Sequence, residues 1–295
     1  MENSKALSLT GQTWPSLPET LVGLRLWQVL SDVDDIIAEC ERQKMPLEGA
    51  VRTIFGIALR RRQSHRQEMQ LTMARFPTPA TFENFDLSKI DQRSRQCLLD
   101  LSICKWINAG ENILLQGASG VGKTHLAVAI GRRAIAQGYR TLFVEAKSLL
   151  CEMRHWQQTG ALTEKLKQLN QIKLLILDDV GNKDDPNPED CTLFSALIRS
   201  RYAAHRSVII TSSTMPAGWF MPRPDQVPTL VAAVDRLVHH CHLIKLQGRS
   251  YRLDEFQTRI RDELGSDCEL ITGQNGALAV ELAADDKSTA TDTVQ

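Results

Sequence analysis

Between Pro18 and Arg75 the apolar residues recur at helical spacing. Ser31 is placed to cap a segment carrying Val33, Ile36, Ile37 and Cys40, and a second segment follows Pro46 with Val51, Ile54, Phe55, Ala58 and Leu59. This predicts a small helical N-terminal domain over residues 1–75. Phe76-Pro77-Thr78-Pro79 ends its last helix, since proline cannot continue the hydrogen-bond ladder. Residues 76–110 then read as an extended linker with two aromatic anchors, Phe82 and Phe85, and a leading helix through Leu98, Leu99, Leu101 and Trp106. After that the period changes. Short apolar runs at 112–116, 141–145, 172–178 and 207–211 alternate with helical segments near 149–157, at 189–204 and through Val231, Val234 and Leu237. Such alternation belongs to an α/β core whose parallel sheet is covered on both faces. The sheet is expected to be complete by Leu246 and the core to span 111–260. From Asp262 onward the chain is acidic and rich in small residues, which predicts a disordered tail over 261–295.

Composition changes this picture only locally. The 295 residues carry 35 Lys and Arg against 35 Asp and Glu, so no global charge draws the chain to nucleic acid. The last N-terminal helix is different. It holds Arg52, Arg60, Arg61, Arg62, Arg66 and Arg75 close to a single acid, Glu68. Arg60, Arg61, Arg62 and Arg66 are therefore candidates for contacting DNA phosphates. If all four do so, the log–log salt slope of binding is about −3.6. The seven cysteines are scattered and never form C-x-x-C, as in reduced cytoplasmic proteins. No signal-like N-terminus and no apolar run of membrane-spanning length is present, so a cytoplasmic location without membrane contact is expected.

The strongest chemical signal is Gly117-Ala118-Ser119-Gly120-Val121-Gly122-Lys123-Thr124, the pattern G-x-x-x-x-G-K-[ST], placed directly between a strand and a helix. Its glycines let backbone N–H groups turn toward phosphate oxygens, Lys123 reaches the terminal phosphates, and Thr124 binds magnesium. The helix that follows adds its positive end. ATP and magnesium are the expected ligands.

About fifty residues on, the apolar run 173–177 ends in Asp178-Asp179. Paired acids at a strand's carboxyl end suit a nucleotide site: Asp178 would hold the metal's water shell and Asp179 would orient the attacking water. Thr211-Ser212-Ser213 ends a neighbouring strand, which makes Ser213 a candidate water contact. Arg199, Arg201, Arg236 and Arg252 are candidates for the terminal phosphate. His239-His240-Cys241-His242 does not read as a metal site, because adjacent side chains diverge and no second ligand cluster completes it.

With these motifs placed, the chain resembles the IstB family of AAA+ ATPases, helpers of insertion sequences that are similar to the DnaC helicase loaders. The likeness runs from about Pro18 to Phe256. It includes 20–26, the basic helix leading into 74–77, 82–86, 110–115, Leu177-Asp178-Asp179-Val180-Gly181, 235–242 and 248–253. The resemblance implies ATP-dependent homo-oligomers on double-stranded DNA that direct a partner transposase. It matches Arg236 to an arginine finger that completes the neighbouring subunit's site, and Arg252 to a second sensor in the lid. Ser213 stands where the family usually has asparagine, which implies slower hydrolysis, and residues 182–188 differ from the family's usual apolar-aromatic sequence. A DnaC-like helicase loader is the alternative function. A small-molecule P-loop kinase would need an acceptor site, and none is readable.

Overall fold

The computed structural model describes residues 14–86, 90–181, 188–220, 226–247, 250–253, 256, 258–259, 268–272 and 278–282. The chain divides into two compact units, Met1–Gln70 and Leu71–Gln295.

In the first unit, helix α1 (Leu17–Gly23) opens on a capping box. Ser16 Oγ accepts from the Glu19 N–H, and Glu19 accepts in return from the Ser16 N–H at 2.8 Å, which satisfies donors that a helix start leaves unpaired. Helix α2 (Val33–Arg42) follows, and then α3 (Leu47–Met73), a helix of 27 residues. The residue at the start of α2 is Asp32 rather than the expected Ser31, and its carboxylate makes no cap bond. It instead takes both terminal nitrogens of Arg61, at 2.7 and 2.6 Å. Leu21, Val29, Val33 and Ala58 form the buried centre, with Ile36, Ile37, Ile54 and Ile57 packed around it. Val51, Phe55 and Leu59, which the spacing assigned to the same apolar face, are exposed. They lie on the neighbouring stripe of α3, and one helix can turn only one stripe inward.

The second unit is built on five parallel strands: β1 (Asn112–Gly117), β2 (Thr141–Glu145), β3 (Leu174–Asp178), β4 (Ser207–Ser212) and β5 (Cys241–Leu246), in the spatial order β2-β3-β4-β1-β5. Strand side chains alternate between two cores, as the two-residue period requires. Ile113, Leu115, Ile176 and Ile209 pack on one face with α6 (Lys123–Ala136). Leu114, Leu175, Leu177 and Ile210 pack on the other, with α7 (Ala146–Gln158), α9 (Pro188–Ala203) and α10 (Val227–His239). Each fully buried Leu or Ile there contributes roughly 1.5–3 kcal/mol relative to exposure. The leading helix is two helices, α4 (Gln92–Ser102) and α5 (Trp106–Ala109), because Cys104 at φ +60° breaks the run. A short α8 (Leu162–Leu169) precedes β3.

Two elements depart from the sequence pattern. Strand β5 lies at the sheet edge, with Leu243 and Lys245 exposed and Ile244 and Leu246 buried, so it lacks the continuous apolar run that marks the inner strands. In the expected disordered tail, β6 (Cys268–Thr272) and β7 (Leu278–Leu282) pair antiparallel. Composition averaged over the tail hides these two short runs of strand-forming residues. The rest of 261–295, and residues 182–187 of the segment that departs from the family pattern, lie outside the described residues.

Candidate functional site

The strand order sets the site. β1 delivers the phosphate loop and β3 delivers the paired acids, and β4 lies between them. All three strands are parallel, so their carboxyl ends meet at one edge, where α/β sheets bind ligands. In the loop, Gly120 and Gly122 adopt φ +80° and +94°, which side-chain-bearing residues rarely do, and Gly122 starts α6. A Cβ on Gly120 would fall 2.0 Å from Ser250 Oγ, so the loop tolerates no side chain there. Lys123 is buried, with Nζ donating to the carbonyls of Gly117 and Ala118 at 2.8 and 2.7 Å.

Thr124 Oγ1 donates to Asp178 at 2.9 and 3.1 Å from its two oxygens. Thr211, from the intervening strand, donates to Asp178 Oδ1 at 2.6 Å. Burial pushes the Asp178 carboxyl above its ordinary pKa, against the hydrogen bonds from Thr211 and Thr124 that favour its charge. Burial also draws the Lys123 ammonium below its usual value, opposed by Asp179 and Asp178 and assisted by Arg252. These residues fit magnesium. A hydroxyl and a carboxylate are the hard oxygen donors that ion takes, and a buried carboxylate whose charge is disfavoured is a place where a dication is welcome.

Asp179 follows at φ +56°, its N–H held by Thr211 Oγ1 at 2.9 Å. Ser213 is exposed one residue beyond β4, at the same edge. Tyr251 N–H donates to the Gly120 carbonyl at 3.0 Å and its hydroxyl donates to Asp86 O at 3.1 Å, which brings the segment holding Arg252 onto the loop. Phe85 packs against His125 and Tyr251, with ring centres 5.4 and 5.9 Å away. Sequence reasoning singled out neither Thr211 nor the grouping of Phe85, His125 and Tyr251 beside the loop. Their one visible signal was a polar or aromatic residue beside a recognised motif.

The other candidates separate. Arg236 does not join the group: it donates to Ala232 O at 2.8 Å and lines a small recess with Gly110, Asn112 and Arg206 at the opposite, amino edge of the sheet. A six-residue strand puts about 17 Å between the two edges. Arg199 is exposed on α9. Arg201 is not a phosphate ligand. It is 1% exposed and donates to four backbone carbonyls, those of Leu169, Ile172, Lys173 and Ser207, at 2.7 to 3.2 Å. Burial and the charge of Arg206 draw its guanidinium down to about 9. Four inward-facing carbonyls where strands begin need donors, and a long fork-shaped cation supplies them. His242 Nε2 lies 2.7 Å from Glu111 Oε2, and the His239 and His240 rings lie 4.0 Å apart, tilted by 47°. On α3, Arg60, Arg61, Arg62 and Arg66 are all exposed, and Arg61 is committed to Asp32 and to Gln28 O. Among the described residues no helix is long and apolar enough to cross a membrane.

A phosphate loop at the end of β1, paired acids at the end of β3 and the order β2-β3-β4-β1-β5 define a P-loop ATP-binding protein with helices preceding the core. The IstB-like ATP binding protein family matches residues 19–258, and the chain belongs to that family. It is 36% identical over 194 residues to the insertion sequence IS21 ATP-binding protein of Pseudomonas aeruginosa, covering 66% of this chain and 72% of that one. It is 37% identical over 210 residues to the IS5376 ATP-binding protein of Geobacillus stearothermophilus, covering 70% and 80%. Among solved structures, the DnaC helicase loader aligns with a TM-score of 0.45 and 24% identity, over 59% of this chain and 97% of the loader.

Proposed function

We propose that this protein is an ATP-dependent helper of transposition. ATP binding assembles its subunits on double-stranded DNA, hydrolysis disassembles them, and a partner transposase responds to the assembled state. The observation that carries the reading is the division of the sheet: Lys123, Thr124, Asp178, Asp179 and Arg252 gather at one edge, while Arg236 stands at the other. A cation that far from its own chain's phosphates cannot serve them, and in this reading it serves a neighbour's, so hydrolysis depends on assembly. Membership of the IstB-like family supports the transposition context.

In this reading the glycine-rich loop, 117–124, cradles the phosphates of ATP with its backbone N–H groups, and Lys123 neutralises the terminal oxygens. Thr124 and Asp178 would hold magnesium, which supplies charge neutralisation on the phosphates when bound. Asp179 accepts a hydrogen bond from the attacking water, and Ser213 offers that water a second polar contact. As the water oxygen bonds to the γ-phosphorus, the proton it sheds passes toward Asp179, the bond to the β,γ-bridging oxygen breaks and ADP leaves. Arg236 of the adjoining subunit and Arg252 of the same one meet the charge spread over the phosphoryl oxygens. Arg60, Arg62 and Arg66 provide the DNA contacts.

The test measures ATP turnover against protein concentration with and without duplex DNA, and strand transfer by the cognate transposase under the same conditions. Turnover that rises with concentration and DNA, and strand transfer that needs both ATP and this protein, are expected. Turnover indifferent to both, or strand transfer unchanged by the protein, would sink the reading.

A further inference from the structure

The strand between the two halves of the site carries one enclosed hydroxyl at its carboxyl end that bonds both acids. Thr211 is 1% exposed, and its side chain sits behind the acids rather than in the phosphate loop. Its single proton goes to Asp178 Oδ1 at 2.6 Å. The same oxygen accepts the Asp179 N–H at 2.9 Å, and the Thr211 carbonyl accepts the Val180 N–H at 2.9 Å. Two consecutive amides of the turn after β3 are thus tied to one residue of β4. The tie matters at Asp179, which holds φ +56°, a left-handed conformation that residues with a Cβ seldom keep without outside support.

We propose that Thr211 is a positioning residue for the hydrolytic site: its hydroxyl fixes Asp178 toward the metal position and Asp179 toward the terminal phosphate. The proposal rests on the roles given above to Asp178 and Asp179. Thr124 cannot substitute for Thr211. A cation engages a lone pair of Thr124 Oγ1 and leaves its proton on Asp178, but Thr124 holds that acid from the phosphate loop, whereas Thr211 holds it from β4 together with the Asp179 amide. Nor can a backbone group do the work, since one atom must donate to the first acid and accept from the second. A hydroxyl does both. Threonine also suits the position as a β-branched residue inside a buried strand.

Three variants test this: Thr211→Val, which keeps the shape and loses the hydroxyl, Thr211→Ser, which restores the hydroxyl, and Asp178→Asn. In nucleotide-free protein, amide exchange at Asp179 is expected to quicken about tenfold in T211V, the loss of one ordinary hydrogen bond, and to stay near wild type in T211S. In a magnesium titration of fluorescent ATP-analogue binding, T211V should need roughly tenfold more magnesium, while its magnesium-free affinity stays within about twofold. At saturating magnesium kcat should fall with little change in KM, because a misplaced Asp179 affects the transition state more than binding. T211S is expected to recover all three readouts. Wild-type exchange and magnesium demand in T211V would overturn the proposal, as would a T211S variant as impaired as T211V. If D178N raises the magnesium demand and T211V does not, Thr211 alone is misassigned. If D178N leaves that demand unchanged, the metal-side role of Asp178 fails and the proposal falls with it. Should T211V not fold, Thr211→Cys, with similar volume and a weak donor, should show smaller changes in the same direction, and no change would count against Thr211.

Discussion

The proposed contact with DNA is open to a quantitative test, because one of the four arginines already has an ionic partner. Four arginines on α3 would give a salt slope of about −3.6. However, the charge of Arg61, whose side chain is 44% exposed, is already matched by both oxygens of Asp32, which leaves Arg60, Arg62 and Arg66 as the candidates to release counterions. Three neutralised phosphates contribute a slope of about −2.7, since each releases roughly 0.9 of a counterion from duplex DNA. Raising salt from 50 to 200 mM should then cost about fortyfold in affinity through this helix, against about 150-fold for four. The measurement is fluorescence anisotropy of a labelled duplex, with ATP present, across that salt range. Replacing Arg60, Arg62 and Arg66 together by alanine should flatten the wild-type slope by about 2.7, and each single replacement should flatten it by about 0.9. Arg61→Ala should leave the slope unchanged and instead loosen the N-terminal helices, seen as a lower melting temperature. If R61A flattens the slope as much as R62A does, the assignment of Arg61 to Asp32 is wrong. If the triple variant retains the wild-type slope, α3 is not the DNA contact.

Further outcomes follow from the same geometry. Lys123→Ala should abolish binding of a fluorescent ATP analogue, whereas Asp179→Asn should bind it within about twofold of wild type and hydrolyse ATP at least tenfold more slowly; normal turnover in D179N would remove the water-orienting role. Arg236→Ala should lower turnover of the DNA-bound assembly by about 1,000-fold, and mixing it with D179N should restore part of the activity, because D179N subunits still bind ATP, assemble and offer Arg236 to intact neighbouring sites. No recovery in the mixture would refute action between subunits. Arg201→Ala orphans four buried carbonyls and should cost about 4 kcal/mol or more, a fall of at least roughly 8 °C in the melting of the core; a melting point within about 2 °C of wild type would return Arg201 to the list of functional arginines. The Asp32 carboxyl is held below its ordinary 3.8 by its hydrogen bonds to Arg61, so the pair's contribution is complete above that value and fades as pH falls through the lower folded-state value. Acid melts of wild type and R61A should therefore converge at low pH, and curves that stay parallel would contradict the pairing.

Much of the core was legible because its signals are local. Strands β1, β3 and β4 are apolar runs buried on both faces, β2 at one edge still carries Leu142-Phe143-Val144, and the octet at 117–124 names its own chemistry, since the spacing of glycines, lysine and threonine is what a phosphate cradle needs within one turn. Asp178 was readable for the same reason, as an acid at the end of a buried strand. The edge strand β5 was readable only as the expected completion of the sheet by Leu246, because solvent on one side lets it carry Lys245 among apolar neighbours. The arginines show where local reading stops. Arg61, Arg62, Arg201 and Arg236 look alike along the chain, and only their surroundings separate a clamp on Asp32, a solvent-facing cation, a donor to buried carbonyls and a group stationed across the sheet from its own nucleotide loop.

The sequence by itself determined that this chain cradles nucleotide phosphates on an α/β core, because those features depend on residues close together in order. The tertiary structure decided which strand stands between the loop and the acids. Placing β4 between β1 and β3 brings Thr211 to Asp178 and Asp179 from 33 and 32 residues away, and strand order is a property of long-range pairing that no local pattern encodes.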